Sequence, residues 1–186
     1  MTRTFALLFL LLLSACGSSP TVRDDDKRIP FTSALRSEWN FSDDELKSLQ
    51  YYIHTTVVLS RAVSDGSRSI AKGKLVLRSG QYIDEIELPG GTPGIATAAS
   101  DFSLQLCFEK DCGATLRFGC RDGCGSWAGK YNSMAKSWEK GVGQVDYAGL
   151  TYSMTPSTYI EIDKDALAKV QRNRRVLPGK RIDDKK

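Results

Sequence analysis

Four cysteines form the group of residues in this chain whose types and spacing could do chemistry. They lie within 18 residues of one another, with four, seven and three residues between them: Cys107, Cys112, Cys120 and Cys124. Four thiolates at such spacing could hold a tetrahedral zinc ion, and four thiols could equally form two disulfides. The spacing alone does not distinguish a zinc site from two disulfides. The compartment of the chain does, because disulfides form and persist where thiols are oxidised.

The first 15 residues predict that compartment. Arg3 precedes an apolar run from Phe5 to Leu13, and the small residues Ser14 and Ala15 follow it. The apolar run is about nine residues long, whereas a helix needs roughly 20 residues to cross the core of a bilayer. Residues 1–15 are therefore interpreted as a secretory signal peptide and not as a membrane span.

The end of this leader, Leu13-Ser14-Ala15-Cys16 followed by Gly17, resembles the lipobox of bacterial lipoprotein signal peptides. The resemblance covers only the first 17 residues. It implies cleavage before Cys16, a diacylglycerol in thioether linkage on Cys16, and an N-acyl chain on the new amino terminus. Because Gly17 is not acidic, it also implies anchoring in the outer membrane with the domain on the periplasmic face. A signal peptide cut after Ala15 without lipid, and exposure at the cell surface, are the alternatives.

An exported chain folds where thiols are oxidised, so the four cysteines are predicted to form disulfides and not a metal site. If residues 114–119 are extended, Cys112 and Cys120 stand about 26 Å apart at about 3.3 Å per residue. Bridged Cα atoms lie within about 7 Å of each other, which excludes that pair. A hairpin also disfavours pairing Cys107 with Cys120. The expected pairs are therefore Cys107 with Cys112 and Cys120 with Cys124.

Composition and charge divide the mature chain into regions. The full chain, with 41% hydrophobic and 26% charged residues, has the composition of a soluble globular protein, and its mature part is long enough for one domain with a core. Residues 16–38 are expected to be the lipidated cysteine and a flexible tether, 39–178 a single β-rich domain, and 179–186 a basic tail. The last 23 residues hold nine basic and three acidic residues, so the positive charge belongs to the C-terminal end.

Two helices are expected, one near each end of the domain. Ser42 and Glu45 are spaced as in a capping box, and residues 42–53 are predicted to form an amphipathic helix. A second helix is expected to begin at about Asp163 and to stop at Pro178.

Between the helices, alternating apolar residues and glycine turns predict seven or eight short strands. Two hairpins with two-residue turns are expected: the first sets Lys74 opposite Glu85, and the second sets Tyr147 opposite Leu150. Residues 89–101 are expected to be a long loop. The fold class is therefore mainly β within the α+β class, an antiparallel β-sandwich or small barrel with one N-terminal and one C-terminal helix.

Outside the cysteines, the sequence shows no pattern typical of catalysis or metal binding. His54 is the only histidine, and it is expected to be structural, at the end of the first helix. Asp84, Glu85 and Glu87 are expected to form a solvated face and not a paired-acid site. We therefore expect no enzymatic activity, no metal ion, and no cofactor besides the lipid on Cys16.

Two groups of residues are candidates for a binding surface. The first is aromatic and could either contact a ligand or pack in the core, with packing favoured: Trp127, Tyr131 and Trp138. The second is basic and could be a solvated helix end or a contact with an anionic surface such as lipopolysaccharide, phospholipid or an acidic partner: Arg172, Arg174 and Arg175. Export argues against nucleic acid as a partner.

These observations favour a lipid-anchored, non-enzymatic protein that binds or helps to assemble a complex of the bacterial envelope. An immunity or inhibitor lipoprotein that neutralises a toxic enzyme in the periplasm is the alternative. An envelope hydrolase is less favoured.

Overall fold

Two antiparallel β-sheets make up most of the computed structural model, which describes residues 27–63, 74–78, 80–120 and 129–173. The strands are β1 Arg28–Pro30, β2 Gln50–Ile53, β3 Val57–Val63, β4 Lys74–Arg78, β5 Gln81–Leu88, β6 Pro93–Ser100, β7 Ser103–Cys107, β8 Leu116–Gly119, β9 Asn132–Ser133, β10 Ser137–Glu139, β11 Val142–Tyr147, β12 Leu150–Thr155 and β13 Ile160–Asp163. The helices are α1 Ser33–Trp39, α2 Asp43–Ser48 and α3 Lys164–Asn173. The prediction of a mainly β fold with antiparallel sheets is confirmed.

The strand order shows how the chain passes between the sheets. The first sheet has the order β1-β13-β2-β6-β7-β8-β9, and the second has the order β10-β11-β12-β3-β5-β4. Short connections lead from β2 into β3, from β5 into β6 and from β12 into β13, so neighbouring strands of one sheet continue into neighbouring strands of the other. Isolated bridges between Thr32 and Lys130, and between Asn132 and Tyr159, connect the two ends of the first sheet.

The inner faces of both sheets pack into one apolar core. Tyr51 and Phe118 of the first sheet and Leu59 and Tyr152 of the second are fully buried and belong to the same cluster. Burying a large apolar side chain contributes about 1.5–3 kcal/mol. The arrangement is that of a sandwich in which both sheets depend on the same core.

Both predicted hairpins have the predicted register. Lys74 pairs with Glu85 in the hairpin of β4 and β5, and Tyr147 pairs with Leu150 in the hairpin of β11 and β12. Gly149 closes the second hairpin with a φ of 77°, a conformation that glycine adopts without a steric penalty.

The first predicted helix is shorter than expected. Its capping box is present, because the Ser42 hydroxyl accepts from the Glu45 N–H and the Glu45 carboxylate accepts from the Ser42 N–H. The helix ends at Ser48, however, and residues 50–53 form β2, in which alternate side chains are buried. Their aromatic and β-branched side chains suit a strand, and pairing with β6 and β13 outweighs the helical spacing of the leucines.

The fold begins before residue 39, where the domain was expected to start. β1 pairs with β13, and Phe31 is fully buried with its ring centroid 4.8 Å from that of Tyr131. Residues 28–38, which were assigned to the tether, are therefore part of the packed fold. Residues 16–26 of the expected tether, the leader 1–15 and the tail 179–186 lie outside the described residues.

Residues 89–101 contain a strand and not only a loop. β6 lies within the first sheet and pairs with β2 on one side and β7 on the other. Its glycine and alanine residues have low strand propensity, which is why the sequence did not indicate it. At Gly94 an added Cβ would lie 2.5 Å from the Phe108 ring, so the small residue allows close packing.

Candidate binding surface

The disulfide prediction is confirmed for one pair of cysteines. Cys107 and Cys112 are bonded, with their Cα atoms 5.3 Å apart, and they close the start of the connection between β7 and β8. Cys120 is buried and also disulfide-bonded. Cys124 lies outside the described residues, so the pairing of Cys120 with Cys124 stays a prediction. Within the part of the chain that the structure describes, no group of side chains is arranged to hold a metal ion.

The three aromatic candidates have different surroundings. Tyr131 is fully buried, and its hydroxyl oxygen accepts a hydrogen bond of 2.9 Å from Arg36 Nη1, so it is a core residue. Trp138 is partly buried beside Gly143 and lines a cleft of about 420 Å³. Trp127 lies outside the described residues.

The basic candidates lie at or beyond the end of the described chain: Arg172 in α3, followed by Arg174 and Arg175 outside the described residues. Cys16 also lies outside them. At the base of α3, the N–H of Lys164 donates a hydrogen bond of 2.9 Å to the carbonyl oxygen of Lys27. The start of the described chain is therefore next to the helix that leads into the basic C-terminal segment.

His54 lies in the bend between β2 and β3 and not at a helix end, because the residues before it form a strand. Its Nδ1 atom is 2.7 Å from Oε1 of Glu161, and its ring stacks on that of Tyr159 with centroids 4.1 Å apart. The backbone N–H of His54 also donates a hydrogen bond of 3.0 Å to the backbone carbonyl oxygen of Tyr159. These contacts hold the bend in place.

The acidic residues of β5 do not form the single solvated face that was expected. Glu87 is exposed, but the side chain of Asp84 is fully buried on the inner face of the second sheet. Its Oδ2 atom accepts hydrogen bonds from Arg61 Nε at 3.0 Å and from the Tyr152 hydroxyl at 2.8 Å. The guanidinium offsets part of the cost of burying the carboxylate.

Two buried tyrosines of β11 and β12, with ring centroids 6.4 Å apart, have raised pKa values. Burial raises the pKa of Tyr152, and its hydrogen bond to Asp84 raises that pKa further. Burial also raises the pKa of Tyr147, as does the 2.8 Å hydrogen bond that its hydroxyl donates to Glu109. The raised pKa values extend the protonated range of both hydroxyls to higher pH. The Tyr152 hydroxyl links β12 to β5, and the Tyr147 hydroxyl links β11 to the disulfide-closed loop.

An apolar surface remains exposed beside Asp84. We call it the hairpin face, and it consists of Leu75, Leu77 and Tyr82, whose exposed fractions are 41%, 63% and 44%. Leu75 pairs with Asp84 and Leu77 pairs with Tyr82, and cross-strand partners point to the same side of a sheet. The hairpin face is therefore the end of the inner face of the second sheet that the other described elements leave exposed.

The sequence pattern alone did not indicate the hairpin face as a binding surface. Its hairpin and register were predicted, and alternation alone places Leu75 and Leu77 on one side of β4. Strand alternation predicts which side of a sheet a residue lies on. It does not predict how much of that side the other sheet covers, because this depends on the packing of the whole fold.

Comparison of the chain with protein-family models, curated proteins and solved structures finds no match. Among the described residues, no helix is long and apolar enough to cross a bilayer.

Proposed function

We propose that this chain is a lipoprotein of the bacterial outer membrane, anchored through lipid on Cys16, that acts as a non-enzymatic binding or assembly factor of an envelope complex. The observation that carries the binding role is the exposure of the hairpin face, in which Leu77 is 63% exposed. Covering apolar surface contributes about 25 cal/mol per Å². Contiguous exposed apolar residues typically mark interaction sites, so the partner is expected to cover Leu75, Leu77 and Tyr82.

The position of Lys27 beside Lys164 supports an orientation for the anchored domain. The eleven steps of chain from Cys16 to Lys27 reach at most about 40 Å and average about 18 Å if flexible. An anchor at Cys16 would thus keep α3, with the basic residues that follow it, near the lipid headgroups. Close to an anionic membrane each basic residue adds about 1 kcal/mol of attraction, and salt weakens it.

The anchor is tested by metabolic labelling with a fatty acid. The wild-type protein should incorporate label and fractionate with the outer membrane, whereas Cys16→Ser should do neither. Label that persists in Cys16→Ser would contradict lipidation at this residue.

The binding role is tested by affinity capture of the lipidated protein from native envelopes, with partners quantified by mass spectrometry. An envelope protein should be recovered in stoichiometric amount with the wild type and lost with Leu77→Asp. The matched control is Ile95→Asp, because Ile95 is 47% exposed on β6 of the other sheet. Recovery of a toxic enzyme instead would favour the immunity function, and equal loss in both variants would contradict binding through the hairpin face.

A further inference from the structure

We infer that the cleft beside Trp138 is a second binding site, and that it takes an uncharged saccharide of one or two sugar rings. The inference goes beyond the proposed function, because the cleft and the hairpin face lie at different edges of the second sheet. Trp138 is in β10 and Leu77 is in β4, and these are the two outermost described strands of that sheet.

The cleft forms where the edge strands β9 and β10 of the two sheets follow each other in the chain. Residues 132–135 line it, beginning in β9 and leading towards β10. Hydrogen bonds hold this segment from two directions: the Ser133 N–H donates to the Thr158 carbonyl oxygen at 2.7 Å, and the Met134 N–H donates to the Arg117 carbonyl oxygen at 2.8 Å. The backbone that lines the cleft is therefore fixed before any ligand binds.

The ring of Trp138 is held as a rigid platform in this cleft. Trp138 pairs with Gly143, which pairs with the buried Met154, so the indole lies on the inner side of the second sheet. A Cβ added at Gly143 would lie 3.0 Å from two atoms of the indole ring and 2.8 Å from the Cβ of Ala135. The ring thus occupies the space that the glycine leaves open. Because it is only partly buried, it presents a preorganised apolar surface to a ligand.

The polar side chains of the cleft are an amide and two hydroxyls. Asn132 and Ser157 are exposed, and Ser133 is buried. Asn132 Nδ2 donates to the Lys130 carbonyl oxygen at 2.8 Å, which orients the amide, and the Ser133 hydroxyl oxygen accepts from the Thr158 N–H at 3.1 Å. Amides and hydroxyls both donate and accept hydrogen bonds. A matching ligand carries groups that do the same, as sugar hydroxyls do.

Charge and shape select the class of ligand. None of the described residues that line the cleft is charged, so they offer no compensation to a charged ligand that loses its hydration. A pyranose ring has an apolar face of C–H groups that can lie on an indole, and an edge of hydroxyls that can bond to the amide and the serines. The cleft measures about 420 Å³, within the range of about 300–1,000 Å³ that is typical of small-ligand sites.

The same polar groups argue against an apolar side chain of a peptide as the occupant. Such a side chain would cover Asn132 and Ser157 without offering them hydrogen bonds, and polar groups that are buried without partners cost free energy. A saccharide covers the indole and satisfies these groups at the same time.

Calorimetric titration of the full chain, purified in a detergent without a sugar headgroup, tests the site. One probe is chitobiose, an uncharged disaccharide of N-acetylglucosamine, and the other is N-acetyl-leucine amide, which carries an apolar side chain. Chitobiose should bind at one site, about tenfold tighter than the leucine derivative. In NMR spectra, chitobiose should shift the indole N–H signal of Trp138 but not that of Trp39, whose ring stacks on Phe41 and does not line the cleft.

Two variants and a matched control identify the residues that bind. Trp138→Ala should lower the affinity for chitobiose about tenfold. Asn132→Ala removes an exposed amide from the cleft and should also lower the affinity. Gln105→Ala removes an exposed amide from a neighbouring cleft of about 380 Å³ and should leave the affinity unchanged. Absence of chitobiose binding, or binding that survives both cleft variants, would overturn the saccharide site. Tighter binding of the leucine derivative would overturn it in favour of a peptide ligand.

The saccharide site and the proposed function fail separately. If Leu77→Asp abolishes capture of an envelope partner but chitobiose does not bind, the binding role stands and the saccharide site is wrong. If chitobiose binds beside Trp138 but no native partner is captured, the saccharide site stands and the role in an envelope complex is wrong.

Discussion

The hydroxyl of Tyr152 donates a hydrogen bond of 2.8 Å to Oδ2 of Asp84, a carboxylate with no exposed surface. Arg61 donates to the same oxygen from β3, the strand between β12 and β5, and its side chain is 16% exposed. Among the described residues, Oδ1 of Asp84 has no hydrogen-bond partner. One buried carboxylate therefore connects β3, β5 and β12 beside the hairpin face.

Replacing this carboxylate should destabilise the fold. We expect Asp84→Ala to lower the free energy of unfolding by about 3 kcal/mol, because it leaves the Arg61 guanidinium without its buried partner. Urea unfolding of the two proteins measures the difference. Glu87→Ala removes an exposed carboxylate from the same strand and should change stability by no more than about 0.5 kcal/mol. A loss for Asp84→Ala no larger than that control would contradict the structural role of the buried pair.

Local chemistry made part of this fold predictable. The capping box at Ser42 and the turn at Gly149 are set by residues close in sequence, so the helix start and the hairpin register could be predicted. The strand structure of residues 50–53 and of β6 could not be predicted, because pairing with strands distant in the chain outweighs local propensity. The burial of Asp84 was missed for the same reason, since its partners Arg61 and Tyr152 come from other strands.

The tight packing of Gly119 gives a second prediction. An added Cβ there would lie 2.5 Å from the backbone oxygen of Phe102 and 2.6 Å from Sδ of Met134. Backbone cannot move aside as a side-chain end can, so Gly119→Ala should cost about 3 kcal/mol. Thermal unfolding should show a smaller loss of about 1 kcal/mol for Gly141→Ala, where the Cβ has open space and only the positive φ is strained. Equal melting temperatures of the two variants would show that the Gly119 contact is not tight.

Stability should fall at alkaline pH because burial raises the pKa of Tyr51 and of Tyr147 in the folded state. Their ordinary value is 10.0, so above that pH the unfolded chain loses protons that the folded chain retains. The contribution of the protonated tyrosines to the free energy of unfolding is fully present below pH 10. It is lost as the pH rises above 10 toward the raised pKa values of the folded state. Above pH 10, each of these two tyrosines should lower the free energy of unfolding by about 1.4 kcal/mol per pH unit.

Denaturant unfolding at several pH values measures this slope. Tyr147→Phe should be less stable at neutral pH, since Glu109 loses a hydrogen bond, but its stability should fall less steeply above pH 10. An unchanged slope in Tyr147→Phe would contradict the assigned shift.

The disulfides are checked by peptide mapping without reductant. It should recover Cys107 linked to Cys112, and Cys120 linked to Cys124. Replacing Cys107 and Cys112 together by alanine should lower stability by about 2 kcal/mol, a modest effect because the closed loop is short. Stoichiometric zinc in protein purified without reductant would contradict the assignment of the second pair.

Site-specific photo-crosslinking in living cells tests most directly whether the chain is lipid-anchored and binds a partner through the hairpin face. A photoreactive amino acid is placed at position 77 in the hairpin face and, in a matched control, at position 95 on the outer side of β6. We expect one adduct of defined mass from position 77, none from position 95, and loss of the adduct when Cys16→Ser removes the anchor. No adduct at position 77, or equal adducts at both positions, would contradict it.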